Sequence, residues 1–322
     1  MELYGTGFRV TCLVFSILMY IIGTVGNLLI IWTITTVKRM RSIQNMLLAL
    51  LAVIDLLIIG YLMPFGMHVL ITNEKPGFGA CRFQAIITAF LFSCSIQFIM
   101  FIALSRYFKI CHSQKFNRIV TARNVIIATI GACVVGACFA SALWFFESLW
   151  TFEFPMHSCI FDRYGSVTFS VIFMAVVIAF PAGVTAFSYI RIYRHVNKAR
   201  TQLHKNWNNG LAQRKFKYEQ ILTKTQFVVF IVYMVMYFPF GITAVGGQRS
   251  DYPDVLHTLS IYMCYLNSCI NSILYGVLNK NMRRGYLESL RFVKPSQNNS
   301  VVPTVSGHLS GGQTTQASTQ QG

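Results

Sequence analysis

Asp55, Asn27, Ser95, Asn267 and Asn271 are polar residues set in otherwise apolar stretches, and together they could hold a cation or a cluster of ordered water. Asp55 is the only acid in any of these stretches, and a carboxylate there is tolerable only where donors or a cation surround it. Asn267 and Asn271 lie four residues apart, which puts both amides on one helical face, and Tyr275 continues that face a turn further on. An isolated Asn more often serves as glue between membrane helices, and that role stays open here. One acid joined by several amides and a hydroxyl weighs the set towards ion or water binding.

Two cysteines and an arginine mark depth. The 25 residues from Cys81 to Arg106 would make roughly 37 Å of helix, so the two lie at opposite rims. Ser95 and Arg106 are eleven apart, about three turns, and so face the same way. Cys159 is the expected disulfide partner of Cys81 in an oxidising compartment. The remaining seven cysteines fall in or beside apolar stretches, where a thiol is usually a small hydrophobe.

The elements that position these residues follow from the charges. Of 322 residues, 54% are hydrophobic and 11% charged, against about 25% charged in soluble domains. Uncharged runs separate Arg9 from Lys38, Asp55 from Glu74, Arg82 from Arg106 and Arg123 from Glu147. Three more separate Arg163 from Arg191, Lys224 from Arg249 and Asp254 from Lys280. A bilayer core needs about 20 apolar residues of helix, and the second run reaches that length if it extends back through Asp55 towards Asn45. The expectation is an all-α membrane protein, a bundle of seven transmembrane helices. With seven spans the termini fall on opposite sides, and 22 of the 27 Lys and Arg residues fall on one of them. By the positive-inside rule that side is cytoplasmic, so the N-terminus is outside and the C-terminus inside.

The expected organisation is an extracellular tail over 1–9, a seven-span domain over 10–279, an amphipathic membrane-surface helix over 280–293 and a disordered cytoplasmic tail over 294–322. The first apolar run is too long for a signal-peptide core and reads as the first span. A net charge of +17 could suggest nucleic acid, but the bases sit in short loops beside spans and report topology instead. An enzyme is disfavoured, because no His pair has metal-ligand spacing and no nucleophile–base pair or phosphate loop stands out. An ion-translocating seven-helix transporter or channel is the alternative, although no repeated halves are visible.

These residues together resemble the rhodopsin-like (class A) G protein-coupled receptors. Asn27 in "GTVGNLLII" and Asp55 in "LLALLAVIDLL" look like the family's residues in helices 1 and 2, and Cys81 like its disulfide cysteine. "SRY" (Ser105, Arg106, Tyr107) corresponds to Asp-Arg-Tyr, and "NSILY" (Asn271 to Tyr275) stands where Asn-Pro-x-x-Tyr is usual. Pro181 precedes Tyr189 in helix 5, and Pro239 lies in helix 6. Within the family, "SRYFKICHS", "HSCIF" and "YLNSCINSILYGVLNKNMRRGY" are similar to melatonin receptors.

The resemblance implies roles. Asn27, Asp55, Ser95, Asn267 and Asn271 would form an allosteric Na⁺ and water network, with Asp55 and Ser95 as Na⁺ ligands. Arg106 would pair with Glu219 at the base of helix 6, while Tyr107, Tyr189, Pro239 and Tyr275 complete the activation switch. Thr88, Ala89, Phe92, Phe161, Val177, Tyr237, Phe240 and Tyr265 would line the ligand pocket. Melatonin receptors are expected to hold their ligand with one amide at the top of helix 4 and another after the loop cysteine. Those places are Trp144 and Arg163 here, which argues against melatonin. Thr88 stands where amine receptors carry an acid and helix 7 has no lysine, so a small, largely neutral, aromatic or lipid-like ligand is expected. The implied partners are this ligand, membrane lipid, a heterotrimeric G protein, and arrestin and receptor kinases acting on nine Ser/Thr residues between Ser296 and Thr319. The expected location is the plasma membrane.

Overall fold

The computed structural model describes residues 5–205, 210–245 and 252–291; the side chains of 199–223, 225, 226, 245 and 291 are not described. Among the described residues, seven helices are long and apolar enough to cross a membrane. They are α1 (Thr6–Thr36), α2 (Ile43–Thr72), α3 (Phe78–Cys111), α4 (Ala122–Phe145), α5 (Val167–Lys198), α6 (Phe227–Ala244, the last part of the helix Gly210–Val245) and α7 (Asp254–Leu278). A shorter helix, α8 (Lys280–Arg291), follows. Helix is the only form here that satisfies its own backbone without water, which is why apolar runs of this length adopt it.

Local signals set the ends. Ser42 caps α2 by accepting from the Asn45 N–H at 3.2 Å, and Thr121 caps α4 through the Asn124 N–H at 3.2 Å. α2 stops at Asn73, whose φ of 56° ends the helix in the left-handed region that Asn tolerates. α1 begins at Thr6, and Arg9 in its first turns finds acceptors at the end of α2. Its Nε donates to the Leu70 carbonyl at 3.0 Å and its guanidinium also reaches Ile71 at 3.0 Å.

Two helices widen where proline follows. Ile58–Leu62 in α2 and Met174–Ala179 in α5 are π-helical, just ahead of Pro64 and Pro181. A proline ring clashes with the carbonyl a turn back and removes an N–H, and an extra residue in that turn relieves both.

α3 is the axis of the bundle: 78% of its apolar window is buried, against 22% for α4 and α5 and 28% for α1. The outer faces of those three present apolar side chains such as Val25, Ile130 and Phe187. Glycines bring α1 against α7, where a Cβ on Gly26 would stand 2.8 Å from Ser272 Cβ and one on Gly23 2.8 Å from Cys269 Sγ. α8 folds back on α1, with Thr33 and Ser289 sharing a hydrogen bond of 3.0 Å and Arg39 pairing with Glu288 at 2.8 Å.

One end of the bundle is covered by an antiparallel hairpin, β1 (Trp150–Glu153) and β2 (Ser158–Phe161), in the register Phe152↔Cys159. The Cys81–Cys159 disulfide ties it to α3. Gln84 binds it twice more, accepting from the Cys159 N–H at 2.7 Å and donating to Ser158 Oγ at 2.9 Å.

Substitution Gly26→Val should wedge α1 away from Ser272 and cost about 1–3 kcal/mol, the usual penalty of overpacking. Thermal unfolding of the purified protein would read this as a lowered midpoint, and an unchanged midpoint would show that α7 can yield.

Candidate functional site

Three polar or apolar centres lie along α3. Nearest the hairpin is a small cavity lined by Thr88, Ala89, Phe92 and Ile96 of α3, Ile160 and Phe161 of β2, Phe173, Val177 and Ile178 of α5, Tyr237 and Phe240 of α6, and Ile261 and Cys264 of α7. The π-helical turn lets the consecutive Val177 and Ile178 both face this space. Phe161 packs on Phe173 at 4.6 Å between ring centroids and meets Phe240 edge-on at 6.1 Å. Within this apolar lining, Thr88 Oγ1 and Tyr237 Oη are buried with no hydrogen-bond partner. Seven of the expected pocket residues therefore meet.

Three others do not line it. Tyr265 stacks on Phe92 at 6.3 Å and lines a second, smaller cavity with Ser16, Met63, Met156, His157 and Tyr262. Trp144 lies at the end of α4, 52% exposed, with the Arg82 guanidinium 4.6 Å over its ring and Arg82 donating to its carbonyl. Rim position and that cation keep it from the cavity. Arg163 is buried above the cavity rather than in its lining. Its donors go to Thr243 Oγ1 at 2.7 Å and His257 Nδ1 at 3.2 Å, with Glu153 Oε1 at 3.7 Å, and its guanidinium carbon lies 5.6 Å from the Phe240 ring. Tyr164 adds a bond to the Thr243 carbonyl at 2.9 Å. This buried polar roof joins the hairpin segment to α6 and α7. Glu153, Thr243 and His257 were not among the residues expected to matter, since nothing in their spacing shows that a loop arginine would reach them.

His157 closes the hairpin turn with φ of 51° and lies buried over the second cavity. Burial, and then the neighbouring Arg9 cation, push its imidazole down to about 4, so it is neutral at physiological pH.

The second centre is the polar seam. Asp55 is fully buried, accepting from Asn271 Nδ2 at 2.8 Å and from Ser95 Oγ at 3.5 Å. Asn27 stands beside this cluster and donates instead to the Gly23 and Ser268 carbonyls, at 3.0 and 2.9 Å. Asn267 is buried and its amide nitrogen has no partner. Asn271 Oδ1 and Asn27 Oδ1 are likewise buried oxygens without donors, and the Ser268 hydroxyl is buried within reach of Asp55. A carboxylate ringed by such oxygens has the hard donor set that a small cation or ordered water takes.

The third centre lies at the opposite rim. Arg106 is buried, and its Nη1 donates to Gln44 Oε1 at 3.2 Å. Tyr275 is buried, and Tyr189 packs against Phe227 and Phe230 at 5.7 and 5.8 Å. Tyr107 turns away from Arg106 and shares a hydrogen bond of 3.0 Å with His112. Pro239 lies inside the unbroken helix Gly210–Val245. The expected Glu219 partner of Arg106 lies outside the described side chains. Gln44 was missed, although it precedes Asp55 by eleven residues, the same three-turn spacing that linked Ser95 to Arg106.

Arg163→Met takes the guanidinium away from buried Glu153 and should cost about 3–5 kcal/mol of stability, read as a lowered unfolding midpoint. Adding Glu153→Leu should recover most of that loss; losses that simply add would mean that the two do not act as a pair.

Residues 26–275 match the family described as 7 transmembrane receptor (rhodopsin family). The chain is similar to melatonin receptor type 1B-B of Danio rerio, 27% identical over 86% of this chain and 81% of that protein. It is also similar to melatonin receptor type 1A of Gallus gallus, 28% identical over 86% and 78% respectively. The crystal structure of squid rhodopsin superposes with a TM-score of 0.81, covering 91% of this chain and 88% of that one at 19% identity, a likeness of fold.

Proposed function

Because the chain belongs to the rhodopsin family of seven-transmembrane receptors, we propose that it passes the binding of a small, neutral, largely apolar ligand to a heterotrimeric G protein. It is a multi-pass membrane receptor and not an enzyme, and it is distantly related to the melatonin receptors. The observation that carries the ligand reading is the apolar cavity with Thr88 Oγ1 and Tyr237 Oη left unpartnered inside it. A ligand of matching chemistry is a flat or flexible apolar body carrying one or two acceptors, which those hydroxyls would satisfy. An ammonium ligand finds no carboxylate in this lining. The relatives are named for melatonin, but Arg163 is committed to the roof and Trp144 to the rim, which supports a different ligand here.

The reading assigns the hairpin end to the outside and the Arg106 end to the cytoplasm of a plasma-membrane receptor, in line with the distribution of bases. Ligand contacts on Tyr237 and Phe240 bias α6, because a bound molecule shifts the equilibrium by its unequal affinity for two states. The seam between the cavity and Arg106 is then the element with two hydrogen-bonding arrangements. Na⁺ held by Asp55 and Ser95, with oxygens of Ser268 and Asn271, would favour the resting one. Release of Arg106, from Glu219 among others, lets α6 move outward and admit the G protein, with Tyr189 and Tyr275 supporting the open form. Arrestin and receptor kinases would act on the Ser/Thr residues after Pro295.

Two measurements test this. In a ligand-free panel of G protein activation assays at equal surface expression, Glu219→Ala should raise basal activity; a flat response from wild type and variant across all G protein classes would sink the coupling reading and leave ion translocation as the alternative. Exchanging K⁺ for Na⁺ should stabilise the purified wild type by about 1 kcal/mol and leave Asp55→Asn unmoved. Equal stabilisation of both would remove the Na⁺ site.

A further inference from the structure

Gln44 is a buried residue at the start of α2, and all three of its side-chain hydrogen bonds go to the end of α3. Its Oε1 accepts from Arg106 Nη1 at 3.2 Å and from Lys109 Nζ at 3.0 Å. Its Nε2 donates to the Ser105 carbonyl at 3.4 Å. One neutral amide oxygen thus stands between two cations three residues apart on the same helix, which repel each other. Both bonds are charge-assisted, yet the amide brings no negative charge to offset the pair. The residue before the arginine supplies nothing more, since the Ser105 hydroxyl turns back to the Ile102 carbonyl at 2.8 Å.

We propose that Gln44 is the latch that positions Arg106 in the resting receptor, drawing it towards α2, and that residue 44 sets the level of signalling without ligand. The proposal rests on the reading of Arg106 as the switch of a G protein-coupled receptor. The chemistry of an amide makes the latch intermediate in strength. An apolar side chain at 44 removes both acceptor bonds and so weakens the hold of α2 on Arg106, making its turn towards the space that α6 vacates easier. A carboxylate at 44 keeps the geometry and adds a full charge between the two cations. The two substitutions therefore act in opposite senses, which a merely structural glutamine would not produce, because both would then only loosen the packing.

The experiment compares Gln44→Ala, Gln44→Leu and Gln44→Glu with wild type and Glu219→Ala, at matched surface expression, by ligand-free G protein activation. In parallel, amide hydrogen exchange is followed over residues 43–48 and 103–111 of the purified receptors. Basal activity should rise by up to about tenfold for Gln44→Ala, the scale of losing one ordinary hydrogen bond, and fall below wild type for Gln44→Glu. Exchange should speed up for the first and slow for the second. Gln44→Leu retains bulk and carries the test if Gln44→Ala does not reach the surface. Signalling equal to wild type in all three, with Glu219→Ala raised, would overturn the latch and leave the receptor reading intact. Opposite changes in exchange with no G protein responding to any variant would uphold the latch and overturn the coupling reading. Faster exchange in all three, Gln44→Glu included, would reduce Gln44 to a packing residue and end the proposal.

Discussion

Hydrocarbon offers no hydrogen bonds, so each polar group inside this bundle must be held by another or by something that binds there. That constraint organises the molecule around the fully buried Asp55, which draws Asn271 of α7 and Ser95 of α3 onto α2. Three helices far apart in the chain are thereby registered at one depth. Gly23 and Gly26 serve the same end, since only without side chains can α1 come close enough for Asn27 to reach the Ser268 carbonyl.

Two sets among the groups that escape the constraint are informative because each gathers in one place. Among the described residues, Asn27, Asn267 and Asn271 have unpartnered atoms around the seam, and Thr88 and Tyr237 around the apolar cavity. Each missing bond would cost about 1–3 kcal/mol if nothing ever filled it. Water or a cation suits the seam, whose free groups are mostly oxygens. An organic ligand suits the cavity, whose surface is aromatic and aliphatic. α3 runs through both and carries Arg106 in its last turns, so a change in packing around Phe92 has a rigid element along which to act.

Much of this was legible in the residues. Seven spans followed from the spacing of charges, the Cys81–Cys159 bond from two cysteines at one rim, and the Asp55–Asn271 contact from an acid that had to find an amide. The resemblance to a known family supplied Thr88, Ala89 and Phe92 of α3 as well as their partners across the cavity. The misplacements share a cause. Trp144 and Arg163 were assigned by counting along the chain from a helix end and a loop cysteine, and position along a loop does not determine where a side chain ends up. Trp144 is held at the rim by Arg82, and Arg163 is drawn to three partners from a hairpin strand and two helices.

Sequence by itself determined the number of spans and the types of group that needed partners, because lipid imposes one length and one backbone solution on every crossing. Only tertiary structure decided which partner each group took. Two π-helical turns re-aimed α2 and α5, the disulfide and Gln84 held the hairpin over the bundle end, and Gln44 met Arg106 across a gap of 62 residues. Those choices depend on helix rotation and approach to within an ångström, and hydrogen-bond reach is a property of assembled helices rather than of any one of them.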